Sequence, residues 1–350
     1  MKCLQIVSTD NHYPRNELVR RVLMAHDSVC EIQAKKGFAG NLRVISQLVR
    51  EPRGGVILFL QPPQWMLLAI FFAKMMGAVV IVDMFIFLED TFIGDRQLAS
   101  ASSMKARYYR FLDWCSAALA DVLLFDTIEN RDFFMKKHVS IGKNKACILP
   151  VCVDTTTFPR WSPHRGKTFT VLFYGKYVPL QGIGYIVDAA LILHRDETIR
   201  FVLIGSGQDR ASIDSKVAEY GLQNISFHES VSYEELIKLL VTADVSLGIF
   251  GLSDKADRVI PNKVVEAAAC GVPMITGENT AMTRYFSHGE SILFCKRGDG
   301  ASLADMILYA MQHPGVLSRI SENGLKVAQE HFSKESIESI FGEYLYDDEE

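Results

Sequence analysis

Short apolar runs that alternate with amphipathic stretches constrain the fold of this chain more than any other sequence feature. Apolar runs rich in β-branched residues, with helical patterns between them, are typical of parallel strands buried on both faces. Helical patterns cover 184–193, 209–220 and 233–243. The predicted strands are 4–8, 56–60, 78–82, 122–125 and 146–149 in the first half, and 168–174, 200–204, 225–228, 245–249, 274–276 and 292–294 in the second. The predicted fold class is therefore α/β, with two Rossmann-like doubly wound domains facing across a cleft.

A polar segment at 154–167, which contains Pro159, Trp161 and Pro163, has the composition of a linker. The sequence thus predicts an N-terminal domain at 1–160 and a second domain at 168–330, followed by a C-terminal helix and acidic tail at 331–350. The helix, expected at 335–345, could pack back on the first domain. Ligands of doubly wound sheets bind beyond the carboxyl ends of the strands, so the cleft is the expected site.

Composition and charge exclude several classes of protein. Of the 350 residues, 49% are hydrophobic and 22% are charged, which is typical of a globular protein. The net charge of −4 argues against a general nucleic-acid-binding protein. The chain has seven cysteines, an odd number, and no C-x-x-C pair. This pattern favours free thiols in a reducing compartment over a disulfide framework or a zinc site. Residues 1–10 resemble a strand and a turn rather than a secretory signal, so the expected location is the cytoplasm.

The apolar segment 66–88 is about as long as a membrane span. Lys74 and Asp83 lie inside it, however, and Gly77 divides it. We therefore predict a helix at 65–76, a turn at Gly77 and a buried strand at 78–83. A transmembrane helix remains the alternative. The sequence also allows a membrane-facing surface near this segment, and so a peripheral contact with a membrane.

A glycine-containing loop at 173–184 is the first candidate for binding chemistry. The predicted strand ends at Gly175, Lys176 follows, and a helix begins after Gly182. Free backbone N–H groups, a helix N-terminus and an ammonium group together suit a phosphate. An ordinary strand-to-helix turn, in which the glycines serve only the backbone geometry, explains the same residues.

A second glycine pair, Gly205 and Gly207, stands between a predicted strand and a helix that starts near Asp209. Arg210 occupies the place of the last glycine of a G-x-G-x-x-G motif, which weakens a dinucleotide interpretation. The two glycines are expected to let the backbone approach a ligand or a neighbouring loop.

The helix predicted at 263–270 begins after Pro261 and carries the third constellation. Lys263 lies in its first turn, where a cation is unfavourable unless it shares an anion with the helix N-terminus. Glu266 falls on the same face, and a carboxylate beside a phosphate site can accept hydrogen bonds from ribose hydroxyls. A surface ion pair between Lys263 and Glu266 is an equally good explanation by spacing alone.

Together and in this order, the three blocks resemble the donor-binding domain of the retaining glycosyltransferases of family four, which have the GT-B fold. The resemblance covers about 168–332. It implies that a nucleotide diphosphate sugar is the donor and that Lys176, Lys263 and Arg258 are the cations that stabilise the leaving group. It assigns donor contacts to Gly175, Gln181, Gly182, Gly205, Gly207, Ser230, Val264 and Glu266.

Two departures from the family pattern bear on function. Arg258 stands where the first glutamate of the E-x₇-E motif would fall, and Gln181 replaces the usual phosphate-binding lysine. Lys263 is expected to replace the lost positive charge. The alternatives that stay open are a non-catalytic homologue that binds a nucleotide or a partner, and a sugar-nucleotide epimerase or phosphorylase of the same architecture.

The resemblance further implies retention of the anomeric configuration, without a dedicated metal ion or another cofactor. The expected acceptor is a glycan, a lipid-linked molecule or a small molecule, and the sequence does not predict the oligomeric state. Asp10 and His12 are further candidates for the acceptor side, and loop polarity or helix capping is the simpler explanation for each acceptor-side candidate. The predicted acceptor-side residues of the first domain are Arg15, Asn16, Asp83, Asp90 and Asp95.

Overall fold

The computed structural model describes residues 4–8, 14–26, 29–35, 37–50, 55–60, 62–142, 146–162 and 166–345. The predictions for Asp10, His12 and the acidic tail at 347–350 lie outside these described residues. Contacts between backbone positions divide the chain into two compact units. The first unit comprises Met1–Cys152 and Ser333–Glu350, and the second comprises Val153–Phe332.

The first unit contains a parallel sheet with the strand order β2-β1-β3-β4-β5-β6. Its strands are β1 (Leu4–Ser8), β2 (Val29–Gln33), β3 (Val56–Phe59), β4 (Val79–Asp83), β5 (Val122–Phe125) and β6 (Ala146–Ile148). The helices that alternate with them are α1 (Pro14–Leu23), α2 (Phe38–Leu48), α3 (Leu67–Met75), α4 (Met104–Leu119) and α5 (Ile128–Lys137).

Strand β3 shows why the strands of this unit are continuously apolar. Val56 and Leu58 point to one side of the sheet and belong to one hydrophobic cluster. Ile57 and Phe59 point to the other side and belong to a second cluster. Because side chains alternate along a strand, only a sheet with a core on each face buries every residue.

The second unit contains a parallel sheet with the strand order β12-β11-β10-β7-β8-β9. Its strands are β7 (Phe169–Tyr174), β8 (Ile199–Ile204), β9 (Ile225–His228), β10 (Val245–Leu247), β11 (Met274–Gly277) and β12 (Leu293–Cys295). Its helices are α6 (Ile183–Ile192), α7 (Arg210–Tyr220), α8 (Tyr233–Thr242), α9 (Asn262–Cys270), α10 (Gly300–Gln312) and α11 (Pro314–His331). The strand order reverses between β7 and β10, and open α/β sheets bind ligands at such a switch point.

The last helix, α12 (Glu335–Leu345), packs against α1 in the first unit. Ile337 and Phe341 are fully buried in the same cluster as Leu18 and Val19 of α1. The predicted class, α/β with two Rossmann-like doubly wound domains, is confirmed.

The apolar segment 66–88 has the predicted order of elements. A turn of 3₁₀ helix at Pro63–Met66 leads into α3, Gly77 adopts a φ of +78°, and β4 follows. Within the described residues, no helix has both the length and the apolar character that crossing a membrane requires.

Candidate active site

The loop after β7 and the loop after β8 lie directly against each other. The Gly175 N–H donates to the Ile204 carbonyl at 2.9 Å. A Cβ on Gly205, whose φ is +134°, would stand 1.9 Å from the Gly175 carbonyl oxygen. A Cβ on Gly207 would stand 2.4 Å from the Tyr177 carbonyl oxygen. Of the two interpretations of this glycine pair, the approach to a neighbouring loop is therefore the one the contacts support.

The loop after β10 joins the same cluster from the other side of β7. Gly182 precedes α6 with a φ of +66°, and a Cβ there would stand 2.6 Å from the Gly251 nitrogen. The Phe250 N–H donates to the Gln181 carbonyl at 3.1 Å. The glycine-bearing loops after β7, β8 and β10 thus meet at the carboxyl ends of the central strands, where the strand order reverses.

Lys263, in the first turn of α9, has its amine in this loop cluster although the residue is only 5% exposed. Its Nζ donates to Gln181 Oε1 at 2.6 Å and lies 3.7 Å from the centre of the Phe173 ring. The same Nζ lies 3.0 Å from the position that a Cβ on Gly175 would take. Burial holds the pKa of Lys263 well below its ordinary value of 10.5, and the nearby Glu266 only partly opposes this shift.

Among the described residues, no side chain caps the N-terminus of α9, which begins after Pro261. The first turn of a helix presents backbone N–H groups that lack intrahelical partners and carries the positive end of the helix dipole. The positive end of α9 and the Lys263 ammonium group therefore act on the same small volume, and an anion would be stabilised by both.

Glu266, one turn further along α9, is 6% exposed. Its Oε2 accepts a hydrogen bond from the Tyr174 hydroxyl at 2.9 Å, and that hydroxyl is also 3.3 Å from the Lys263 carbonyl oxygen. Burial raises the pKa of Glu266, while the Tyr174 hydrogen bond and the Lys263 charge oppose the shift. Because both Lys263 and Glu266 are buried, the alternative of a surface ion pair is wrong.

The other predicted donor-site residues are more widely distributed. Val264 is buried beside Lys263 in the first turn of α9. Lys176 is exposed next to Gly175, and its amine forms no ion pair with any described residue. Arg258 is buried and donates from Nε to the Asp254 carbonyl in its own turn at 3.2 Å. Ser230 is exposed two residues beyond the end of β9.

Three aromatic residues around Gly175 were not predicted as site residues. Phe173 lies under the Lys263 amine, and the Tyr174 hydroxyl holds Glu266. Tyr177 is fully buried, and burial raises its pKa to about 12. The sequence signal that could have predicted them is their position, since these aromatic residues flank Gly175 at the end of the central strand β7.

In the first unit, Arg15 and Asp83 form a buried ion pair between α1 and the end of β4. The distance from Nη2 to Oδ1 is 3.1 Å, and that from Nε to Oδ2 is 3.3 Å. Arg15 Nη1 also donates to the carbonyls of Leu149 and Pro150, each at 2.8 Å. These contacts give both side chains a role within the unit that requires no acceptor.

The remaining acceptor-side candidates are also buried. Asn16 lies beside Arg15 in α1. Asp90 and Asp95 stand at the two ends of a short π-helical turn, Asp90–Asp95, which follows β4. Turns of this kind occur frequently at functional sites. Among the described residues, no group of three His, Cys, Asp or Glu side chains is arranged to hold a metal ion.

The fold defines the class of protein. HepE from Anabaena, solved in complex with UDP, superimposes with a TM-score of 0.76 over 99% of each chain at 12% sequence identity. A structure of HepE with UDP-glucose gives a TM-score of 0.75 over the same share of each chain, also at 12% identity. At this level of identity the likeness concerns the fold alone, and the fold is that of the GT-B glycosyltransferases.

Comparison of sequences then gives the family. Residues 154–327 match the family described as glycosyl transferases group 1. WcaI of Escherichia coli K12, described as a colanic acid biosynthesis glycosyl transferase, is 32% identical over 101 residues, which is 29% of this chain and 24% of WcaI. The D-rhamnosyltransferase WbpZ of Pseudomonas aeruginosa is 24% identical over 190 residues, which is 52% of this chain and 48% of WbpZ.

The match of residues 154–327 to the glycosyl transferases group 1 family confirms the predicted resemblance to family-four glycosyltransferases. The matches span about a quarter to a half of the length of the curated relatives.

Proposed function

We propose that the chain transfers a sugar from a nucleotide diphosphate sugar to an acceptor, with retention of the anomeric configuration and without a dedicated metal ion. The observation that carries the proposal is the convergence of Lys263, Gln181 and Gly175 at the uncapped N-terminus of α9. This arrangement supplies a desolvated cation and a helix dipole at the switch point of the sheet.

The donor diphosphate would lie against the first turn of α9. Cleavage of the bond between the anomeric carbon and the phosphate leaves a nucleoside diphosphate whose negative charge grows in the transition state. Lys263 and the helix N-terminus are fixed in place before that charge develops, which is the most effective form of electrostatic catalysis. We assign the same role to the exposed Lys176 and to Arg258. The front-face attack of the acceptor, with the donor phosphate helping to take the proton, follows from the family resemblance.

Glu266 is the proposed ligand of the ribose. The Tyr174 hydroxyl holds one carboxylate oxygen, Oε2, in place. We assign the second oxygen, Oε1, to the ribose hydroxyls of the donor. A hydrogen bond to a charged acceptor contributes about 1.5–3 kcal/mol, so this contact would separate ribonucleotides from anions such as pyrophosphate.

UDP-sugars are the first donors to test, because HepE was solved with UDP and with UDP-glucose. For the acceptor we propose a glycan or a lipid-linked glycan, since WcaI is described as acting in colanic acid biosynthesis. Arg15, Asn16, Asp83, Asp90 and Asp95 remain the proposed acceptor-side residues. The six cysteines of the described part are free thiols, which supports a reducing compartment such as the cytoplasm.

A second candidate is a homologue that binds a nucleotide but transfers nothing. Two observations favour it: Gln181 provides a neutral amide in place of a phosphate-binding lysine, and Arg258 occupies the place of a carboxylate. Turnover separates the candidates, because such a protein would bind the nucleotide sugar and leave it intact.

Calorimetric titration with UDP, GDP and ADP, followed by the consumption of the matching nucleotide sugars, tests the proposal. The Glu266→Gln variant should bind the preferred nucleotide about 10- to 150-fold more weakly. The loss should disappear for an analogue without ribose hydroxyls. Glu235→Gln, at an exposed position of α8, is the matched control and should bind normally. The proposal fails if no nucleoside diphosphate binds, and the claim of metal independence fails if EDTA abolishes turnover.

A further inference from the structure

The outer faces of α2, α3 and α4 in the first unit are apolar. Helix α3 packs against both α2 and α4, so the three helices are neighbours. We use the name three-helix face for the surface marked by Phe38, Leu42, Phe71, Met75, Tyr108 and Phe111, all of which are exposed. The outer side of a helix on a globular protein is normally polar, so this surface requires an explanation.

The spacing shows that each helix contributes a continuous stripe. The exposed apolar residues are 38 and 42 on α2, 68, 71 and 75 on α3, and 104, 108 and 111 on α4. Intervals of three and four residues place side chains on one helical face. Phe71 is 53% exposed and Met75 is 71% exposed, although the inner sides of the same helices already fill a core.

The charge of the three-helix face is opposite in sign to that of the whole chain. The chain carries a net charge of −4. Helices α2, α3 and α4 contain a single carboxylate, Asp113, which is buried. The charged groups that they expose are Arg43, Lys74, Lys105, Arg107 and Arg110.

Three of the five cations are not neutralised within the described residues. Lys74 pairs with Asp121, and Arg110 pairs with Glu89. Arg43, Lys105 and Arg107 form no ion pair with any described carboxylate. Lys105 instead lies 5.8 Å from the centre of the Tyr109 ring.

We propose that the three-helix face binds the surface of a lipid bilayer that contains anionic lipids. Aromatic and long apolar side chains enter the boundary between headgroups and acyl chains, while lysine and arginine remain at the level of the lipid phosphates. The proposal concerns the first unit alone. None of its residues belongs to the donor site, so it does not depend on the proposed reaction.

A second copy of the chain fits this surface less well. Two identical faces would bring Arg43, Lys105 and Arg107 close to the same cations of the other copy, and like charges at an interface are unfavourable. A bilayer with anionic headgroups supplies the missing negative charge. Each basic residue near such a surface strengthens binding about fivefold, so the interaction should be reversible and sensitive to salt.

Flotation of the full chain with lipid vesicles tests the proposal. The chain should float with vesicles of phosphatidylglycerol and phosphatidylcholine, and at least about tenfold less with phosphatidylcholine alone. Raising the salt concentration to about 0.5 M should release it. Trp114 stacks on Phe111 with the ring centres 6.3 Å apart, so its fluorescence should shift to the blue on binding. The shift should be lost in Trp114→Phe.

Two double variants examine the apolar and the basic parts separately. Phe71→Ser with Phe111→Ser should lower the vesicle partition coefficient at least about tenfold. Arg43→Ala with Lys105→Ala should lower it about 25-fold. Ile192→Ser is the matched control, because Ile192 of α6 is as exposed as Phe71, at 53%, but lies in the second unit.

The result that would overturn the proposal is binding that is absent, or that is equal for neutral and anionic vesicles. A control variant that loses as much binding as the face variants would also overturn it. Light scattering provides a further outcome: a dimer that Phe111→Ser dissociates would assign the face to a second copy. Thermal unfolding reports whether the serine variants fold. If they do not, the variant Arg43→Ala with Lys105→Ala still tests the proposal.

Discussion

The amine of Lys263 is the group whose removal tests the proposed donor site most sharply. Lys263→Met keeps an unbranched apolar stem over the Phe173 ring and removes the donor that bonds Gln181 Oε1 at 2.6 Å. If the amine binds the diphosphate, its loss should lower the ligand affinity without lowering the free energy of unfolding. If the amine stabilises the fold, its loss should lower both quantities.

The expected magnitudes follow from the burial of Lys263. A charge-assisted hydrogen bond to phosphate contributes about 1.5–3 kcal/mol, so the affinity for a nucleoside diphosphate should fall about 10- to 150-fold. Turnover should fall further than donor affinity, by about 100- to 1,000-fold, because the leaving group gains charge in the transition state. The free energy of unfolding at pH 7 should be unchanged or higher, since the variant no longer carries an amine that must be desolvated in the folded chain.

The pH dependence has a definite sign. The pKa of Lys263 in the folded chain lies below 10.5, so the unfolded chain holds the extra proton between the lowered pKa and 10.5. Stability contributed by this group therefore rises with pH across that window, and this slope is absent in Lys263→Met. A bound diphosphate favours the charged amine, so binding within the window should take up close to one proton per site.

Isothermal titration calorimetry of UDP binding in buffers of different ionisation enthalpy measures this proton uptake. The wild-type enthalpy should vary with the buffer, whereas that of Lys263→Met should not. Lys238→Met is the control, because Lys238 lies exposed on α8 and pairs with Glu234. Unchanged UDP affinity in Lys263→Met, or a buffer dependence that survives in it, would refute the reasoning.

Two further substitutions test the framework of the two units. Gly205→Ala should lower the free energy of unfolding by about 2–6 kcal/mol, since its Cβ would stand 1.9 Å from the Gly175 carbonyl at a φ of +134°. Urea denaturation measures the loss, and Gly184→Ala, whose Cβ meets nothing within 4 Å, should show none. Burial raises the pKa of Asp113 from 3.8 to about 7, so folding takes up a proton and stability should fall as pH rises through that range. Asp113→Asn should flatten this part of the stability profile; an unchanged slope would contradict the assignment.

The alternation of apolar runs was sufficient to predict the sheets because the strands are buried on both faces. The predicted strands 4–8, 122–125 and 225–228 coincide with β1, β5 and β9. Strand β2 was missed, since Val29–Gln33 contains Glu31 and Gln33 and lies at the edge of its sheet. An edge strand has a single neighbour and tolerates polar residues, so periodicity gives a weaker signal there.

The site was predictable only to the level of its motifs. The order of the motifs predicted Gly175, Lys263 and Glu266 as site residues. It did not predict the contacts that these residues make in the folded chain. Tyr174 and Glu266 are 92 positions apart in the chain, and their hydrogen bond forms because the fold brings α9 to the end of β7. Arg15 and Asp83 are 68 positions apart, and the sequence predicted both for the acceptor side without predicting the ion pair that joins them.

Gln181 explains how the proposed phosphate site can be stable before a phosphate binds. A lysine at this position would place a second ammonium group within hydrogen-bond distance of the Lys263 amine, and their repulsion would oppose folding. The neutral Gln181 amide instead accepts a hydrogen bond from Lys263, at 2.6 Å, and so keeps a desolvated cation satisfied in the folded chain. When the donor binds, the Lys263 amine would replace its hydrogen bond to the Gln181 amide oxygen with one to a phosphate oxygen. The departure from the family pattern at Gln181 and the deep burial of Lys263 are therefore two parts of one electrostatic arrangement.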